Sequence, residues 1–385
     1  MTVAYYTSTN FMDVILETIQ CIKHKATLHV LIEISNQSKH ATLINVDSID
    51  HLPLIASPEE VLGEARWGKF KPYFEGVASV HFVVHRNKRS LSLTTLKNAR
   101  AVGMFLKKFP IDVFHFDTIS PRAIGLYPYL RKLKVVIALH DPVPHTGEYN
   151  WREDVPNFVF YRMASSFIFY SEFAQKQFGI FYPKIRVPFY SIRLQPYTFI
   201  RQYLPSGKTD SKYILFFGRL SAYKGIDILL EAIPKVLEKF PTQQFIIAGK
   251  PAFGTKVDEA IIDKFKNNIK VISRFLDTEE LVGIISEAQF VVCPYRDATQ
   301  SGVLMTSFAA GKTVVASNVG SFPEYITHEK NGLLTEAEPT ALSKSIIRAL
   351  TDAHYKDLET EVVSTYNEAN GRFNTKQLLS AYQHT

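Results

Sequence analysis

Across residues 213–316, short β-branched and aromatic runs alternate with longer stretches of helical period, and no other feature restricts the fold of this 385-residue chain as much. Tyr213–Gly218 reads as a buried strand without a charged residue. The stretch after it places Ile226, Leu229, Leu230, Ile233 and Leu237 on one helical face. Strands are predicted again at Gln244–Ala248, Ile269–Ser273, Phe290–Cys293 and Thr313–Ala316. Helices are predicted at Asp258–Asn267, Thr278–Ala288 and Gly302–Ala310. Such alternation implies a parallel sheet covered by helices on both faces. Ligands of these sheets bind beyond the carboxyl ends of the strands, so the loops after Phe217, Ala248, Ser273 and Cys293 are where chemistry is expected.

The first half repeats the pattern less sharply, with strands predicted at Thr2–Tyr6, Leu28–Ile34, Ser79–Val84, Val113–Phe116, Val135–Leu139 and Ser166–Tyr170. Between the halves, residues 182–211 are rich in Pro, Tyr and Arg and hold no sustained period. That suits a linker with a domain boundary near residue 195. The expected organisation is an α/β domain over 1–195, a second over 196–370, and a terminal helix over 371–385 packing back on the first.

No stretch of eighteen apolar residues occurs, and the opening residues lack the order of a secretory signal, so a soluble cytoplasmic protein is expected. The two cysteines, Cys21 and Cys293, are far apart and have no metal-ligand spacing. Neither a disulfide framework nor a structural metal is expected. The net charge of +7 lies entirely in the first half, where residues 1–200 carry 23 Lys and Arg against 16 Asp and Glu. The surplus is densest from Arg86 to Lys108 and again at Arg131, Lys132 and Lys134. It suits an anionic membrane surface, a phosphorylated substrate, nucleic acid, or a solvated face with no partner. No RNA- or DNA-binding module accompanies it, so no nucleic acid is expected as a partner.

Gly218-Arg219-Leu220 through Lys224-Gly225 follows a predicted strand and precedes a helix. A guanidinium and an ammonium beside the positive end of a helix dipole favour an anion, and the pair suits a diphosphate. Asp297-Ala298-Thr299-Gln300-Ser301-Gly302-Val303 also follows a strand and opens a helix. Small and hydroxyl residues there let a phosphate approach backbone N–H groups, with an ordinary helix cap by Thr299 or Ser301 as the competing explanation. In the first half, His115-Phe116-Asp117 and Leu139-His140-Asp141-Pro142 end successive strands, with His145 in the following loop. His140 or Asp117 at such a position suits the handling of a hydroxyl proton.

The order Gly218-Arg219, Lys224-Gly225-Ile226-Asp227, Ala248-Gly249, Cys293-Pro294, Gly302-Val303, Ala309-Ala310-Gly311-Lys312, Gly320, Pro323-Glu324 and Asn331-Gly332 resembles the donor-binding half of retaining glycosyltransferases of family 4. The resemblance implies the GT-B fold: two facing Rossmann-like α/β domains with an interdomain cleft and no metal or other cofactor. It implies a hexosyltransferase of polysaccharide or glycolipid synthesis, using a donor such as UDP- or GDP-hexose and a saccharide or lipid-linked acceptor. Arg219 and Lys224 would neutralise the diphosphate, and the backbone at Gly302 and Val303 would hold the distal phosphate. Arg274 and Phe275 would lie against the nucleobase, with Gly218, Thr299, Gln300, Ser301, Thr306 and Glu324 completing the donor site. His140 would contact the reacting sugar or acceptor, with His115 and His145 on the acceptor side and Asp117 and Asp297 as further catalytic candidates.

The chain departs from the family at two positions. Glutamates usually stand eight residues apart across this loop and helix, and alignment on Gly311 puts Ala298 and Thr306 there. Asp297 is the nearest carboxylate. A nucleotide-sugar-binding protein without transferase activity and a sugar-nucleotide epimerase are the alternatives.

Overall fold

Apolar runs too continuous to have a wet face become the central strands of two sheets. The computed structural model describes residues 1–41, 43–87, 89–90, 92–143, 154–207, 212–252, 258–352, 355 and 368–384. Two units separate, the chain passing from the first to the second between Gln195 and Pro196 and returning to the first at Glu368.

In the first unit the strands are β1 (Thr2–Ser8), β2 (Thr27–Ser35), β3 (Ile55–Ala56), β4 (Ser79–His85), β5 (Val113–Phe116), β6 (Lys134–Leu139), β7 (Ala164–Phe169) and β8 (Phe189–Ser191). They lie in the order β3-β4-β2-β1-β5-β6-β7-β8, all parallel except the short β3 against β4. The chain starts at β1, builds outward through β2 and β4, and returns to build outward through β5. The topological switch point therefore falls between β1 and β5, and crevices at such points receive ligands.

The second unit has β9 (Tyr213–Phe217), β10 (Gln244–Ala248), β11 (Ile269–Ile272), β12 (Ala288–Cys293), β13 (Val314–Ser317) and β14 (Leu333–Thr335). Their order is β11-β10-β9-β12-β13-β14, all parallel, with the switch between β9 and β12. Every residue of β9 is buried. The helix Ile226–Lys239 buries the five residues of its predicted face together with Ile228, Ala232 and Val236. Each fully buried Ile, Leu or Val side chain among them contributes about 1.5–3 kcal/mol of transfer free energy. They form one core with Ile214, Phe216, Phe245 and Leu342.

Three strands escape the sequence pattern. β3, β8 and β14 hold two or three residues each, too few for a period to register. The helix predicted at Asp258–Asn267 is shorter, Glu259–Lys264, because Asp258 caps it, accepting from the N–H groups of Ala260 and Ile261. The terminal helix is longer than expected, Glu368–Gln383 rather than beginning at 371. It is tied to the first unit by Ser166 Oγ donating to Ala381 O at 3.0 Å and by Tyr382 OH, 2.7 Å from His115 Nδ1.

Candidate functional site

At the switch point of the second unit, Gly218 follows β9 with φ +109°. Its conformation and lack of a side chain are both required, since a Cβ there would lie 2.9 Å from Lys224 Nζ and 2.9 Å from Val303 Cγ2. Those two distances place the Lys224 ammonium and the first turn of the helix Gly302–Ala309 around one point. Lys224 is 8% exposed, and its Nζ lies 5.2 Å from the centre of the Tyr295 ring. A cation held this deep is a favourable place for an anion. It also acts on Cys293, whose thiol burial pushes up to about 12 while the Lys224 charge pulls the other way.

Two contacts hold the loops after β9 and β12 together. Gly225 has φ +65°, and a Cβ on it would meet Pro294 O at 1.9 Å, so the turn before the helix Ile226–Lys239 sits directly on the second loop. Arg296 then reaches back, its N–H donating to Tyr223 O at 2.7 Å and its guanidinium to Ala222 O at 3.0 Å. The same guanidinium grips both carboxylate oxygens of Asp227. This hydrogen-bonded pairing with Arg296 holds the Asp227 carboxyl below its usual range. Asp227 lies in the run Lys224-Gly225-Ile226-Asp227, whereas the sequence signal of Arg296 is only its place one residue after Tyr295 in a strand-end loop.

The hydroxyl residues of the second loop have structural work. Ser301 Oγ accepts from Leu304 N at 3.2 Å and caps the helix, so the competing explanation holds for that side chain. Thr306 Oγ1 donates to Gly302 O at 2.8 Å, which leaves it able only to accept from a ligand. Ala298 is fully buried, its carbonyl accepting from Ser321 N at 2.8 Å. Thr299 is buried, and Gln300 Oε1 is buried without a hydrogen-bond partner among the described residues. Asp297 and Glu324 keep partial exposure. Arg219 is exposed next to Gly218. Arg274 pairs with Glu280 at 2.7 Å beyond the end of β11, and Phe275 is 44% exposed beside it.

The switch point of the first unit carries a denser arrangement. Asp117, the residue after β5, is fully buried and accepts from Tyr5 OH at 3.0 Å, Thr7 Oγ1 at 2.7 Å and Tyr170 OH at 2.5 Å. His140 Nε2 lies 3.5 Å from its Oδ1. Burial pushes the Asp117 carboxyl up, but the charge of His140, then His115 and the Tyr170 hydrogen bond, outweigh it and hold the pKa at about 2. The His140 ring is stacked between Phe11 (3.9 Å) and Tyr170 (4.4 Å). Neither ring nitrogen has a hydrogen-bond partner among the described residues. Asp13, in the first turn of the helix Met12–Ile22, also feels His140, and burial pushes its carboxyl up to about 6.

His115 lies elsewhere than expected. It is fully buried, stacked on Tyr5 at 4.2 Å and bound by Tyr382, and burial lowers its pKa to about 4. This is a bracing position for the terminal helix rather than an acceptor-facing one. His145 falls outside the described residues. A second buried group was missed: Glu33, in β2, accepts from Tyr6 OH and Ser120 Oγ, both at 2.9 Å, with Arg122 NH1 3.7 Å away. Its signal was a carboxylate inside the apolar run Leu28–Ile34. Among the described residues no group of three or more His, Cys, Asp or Glu is placed to hold a metal.

The second unit is similar in sequence to known glycosyltransferases. Residues 211–352 match the family described as glycosyl transferases group 1. An uncharacterized glycosyltransferase of Methanocaldococcus jannaschii is 31% identical over 149 residues, 38% of each chain. A D-inositol 3-phosphate glycosyltransferase of Corynebacterium diphtheriae is 28% identical over 166 residues, 42% of this chain and 39% of that protein. The matches thus span about two-fifths of these curated relatives. Among solved structures, Anabaena HepE in complex with UDP has a TM-score of 0.64 at 17% identity, covering 99% of this chain and 100% of that one. Sucrose-phosphate synthase of Thermosynechococcus elongatus has a TM-score of 0.65 at 15% identity, covering 98% of both. These likenesses show the GT-B fold for the whole chain. The matched residues include Lys224, Gly302 and Asp297, whereas Asp117 and His140 belong to the unit outside them.

Proposed function

We propose that the protein is a retaining hexosyltransferase that moves a sugar from a nucleoside-diphosphate donor to an acceptor hydroxyl, without a metal, at the cytoplasmic face of an anionic membrane. The observation that carries this reading is the convergence of the buried Lys224 ammonium, Gly218 and Val303 at the β9–β12 switch point. Breaking the bond to the anomeric carbon releases a nucleoside diphosphate, and its growing negative charge would meet a cation and a helix start already in place. In this reading Lys224 and Arg219 hold the diphosphate, and the N–H groups of Gly302 and Val303 hold its distal phosphate. Arg274 and Phe275 flank the nucleobase, with Thr299, Gln300, Ser301, Thr306 and Glu324 lining the rest of the donor site. His140 and Asp117 position the acceptor hydroxyl, a saccharide or lipid-linked one, and receive its proton, and Asp297 is the carboxylate nearest the donor sugar. UDP is the favoured diphosphate, because HepE binds it on the same fold.

The test is a thermal-shift panel of UDP, GDP, ADP and TDP with their nucleotide sugars, run on the native protein, Arg219→Ala and Lys224→Ala. A ligand at about a hundred times its Kd adds roughly 2.7 kcal/mol. Stabilisation by one diphosphate, lost in both variants, is expected. No stabilisation by any of them would end the reading.

A binder without turnover is the second reading, and Ala298 and Thr306 favour it. A buried methyl and a hydroxyl already donating within its own helix replace two carboxylates. Stabilisation by a nucleotide sugar with no release of free diphosphate in the presence of any acceptor would select it.

A further inference from the structure

The first unit carries a surface that neither the donor site nor the His140 site uses. The helix Leu93–Leu106 buries Thr95, Asn98, Ala99, Val102, Phe105 and Leu106. Its other face is apolar where a solvated helix would be polar: Leu93 is 79% exposed, Leu96 56% and Met104 56%. At 100° per residue these three stand on one stripe, and Lys97, Arg100 and Lys107 are interleaved with them, all exposed. No acidic residue occurs in the helix. Scattered single apolar side chains are ordinary on a protein surface, but three long ones aligned with three cations are the pattern of a helix that lies in a membrane interface.

The surroundings extend the pattern. From Arg86 to Lys134 the sequence holds eleven Lys and Arg against only Asp112 and Asp117, more than the chain's whole surplus. Of those two acids, Asp117 is fully buried and Asp112 accepts from the Thr2 N–H at 2.8 Å. Tyr129 packs on Gly103 of the helix, where a Cβ would lie 2.2 Å from its ring, and neighbouring Tyr127 is 40% exposed. Arg131 and Lys132 follow, both exposed. An amphipathic aromatic beside a basic, apolar stripe suits the boundary between lipid headgroups and acyl chains.

We propose that the outer face of the helix Leu93–Leu106 is the surface by which this protein docks on anionic lipid, with Leu93, Leu96 and Met104 entering the interface and Lys97, Arg100 and Lys107 meeting the headgroups. The proposal deepens the peripheral membrane association proposed above and rests on it, but it does not depend on the transferase reading. Charge alone would fit any polyanion. The apolar stripe selects a bilayer, because nucleic acid offers nothing for exposed Leu and Met side chains to enter.

The test is co-sedimentation of the full chain with vesicles of phosphatidylcholine mixed with phosphatidylglycerol, and of phosphatidylcholine alone, at low and high salt. Two variants accompany it, Leu93→Gln/Leu96→Gln/Met104→Gln and Lys97→Gln/Arg100→Gln/Lys107→Gln. All six positions are exposed, and an unchanged melting temperature checks that each variant folds. The expected result is binding to acidic vesicles only, weakened about tenfold or more in each triple variant, with the salt dependence reduced in the second. If the native chain does not sediment with acidic vesicles, both the membrane association and this surface are wrong. If it sediments and the variants do so equally, the association stands and this surface is wrong. Loss of binding in the charge variant alone would mean purely electrostatic adsorption and overturn the entry of Leu93, Leu96 and Met104 into the interface.

Discussion

His140 holds Nε2 3.5 Å from Oδ1 of Asp117 while its ring is clamped between Phe11 and Tyr170. A proton taken up by this imidazole would sit beside a carboxylate that the His140 charge itself holds ionised and that three hydroxyl donors fix in place. His140→Ala is therefore expected to lower the transfer rate by about 10²–10⁴-fold, the range for a positioned acid or base. Binding of the nucleoside diphosphate should be unchanged, since Lys224 lies in the other unit. Steady-state transfer assays and calorimetric titration separate the two effects.

Asp117→Asn tests the hub itself. An amide offers one oxygen where the carboxylate satisfies Tyr5, Thr7 and Tyr170, so at least one buried hydroxyl loses its acceptor. A loss of about 2–4 kcal/mol is expected in urea denaturation at neutral pH. The Asp117 pKa is depressed from 3.8 to about 2, so the stability it contributes is present above the unfolded value and lost as pH falls through the folded one. The gap between native protein and variant should close between pH 3.8 and about 2.

The second unit was legible in sequence because β9 and its neighbours are buried on both faces and so read as unbroken apolar runs. Gly218, Lys224 and Gly302 could be placed at strand ends for the same reason. Tertiary pairing was not legible. Nothing local links Arg296 to Asp227, 69 residues apart, or His115 to Tyr382, 267 apart. Strand-end position alone suggested that His115 faces a ligand, but side chains alternate along a strand, and its place in β5 turns it toward Tyr5 and the terminal helix.

Gly225→Ala should be costly. The backbone there is left-handed and the new methyl would press on Pro294 O, so a loss of about 2–4 kcal/mol is expected. Gly283→Ala is the control. It lies inside the helix Thr278–Ser286 with nothing within 4 Å of a new Cβ, and it should stabilise by about 0.5–1 kcal/mol. Urea midpoints of the two variants should move in opposite directions.

Arg296 and Asp227 are each roughly 40–50% exposed, so their pairing is screened, and a double-mutant cycle should return a coupling of only about 0.5–1 kcal/mol. Its larger effect should fall on the loop that carries Lys224. Arg296→Ala frees the Tyr223 and Ala222 segment from its side-chain tether, and diphosphate affinity should fall several-fold while global stability barely changes. Calorimetric titration beside urea denaturation reads both.

Asp13 and His115 give the first unit two opposed pH dependences over one window. His115 titrates near 4 in the folded chain and near 6.5 when unfolded, so the unfolded state binds more protons between those values and stability rises with pH. Asp13 titrates near 6 folded and 3.8 unfolded, so its contribution is complete below 3.8 and lost as pH rises through 6. Both groups are held by burial, and each shift corresponds to at most about 3 kcal/mol. The slopes oppose each other in the native protein, and either substitution exposes the remaining one. Asp13→Asn should gain stability relative to the native chain as pH rises from 3.8 to about 6. His115→Gln should lose it over the span from about 4 to 6.5. Urea denaturation across that range, with both variants beside the native chain, measures the two differences. Parallel curves would mean that neither group is held as its surroundings dictate.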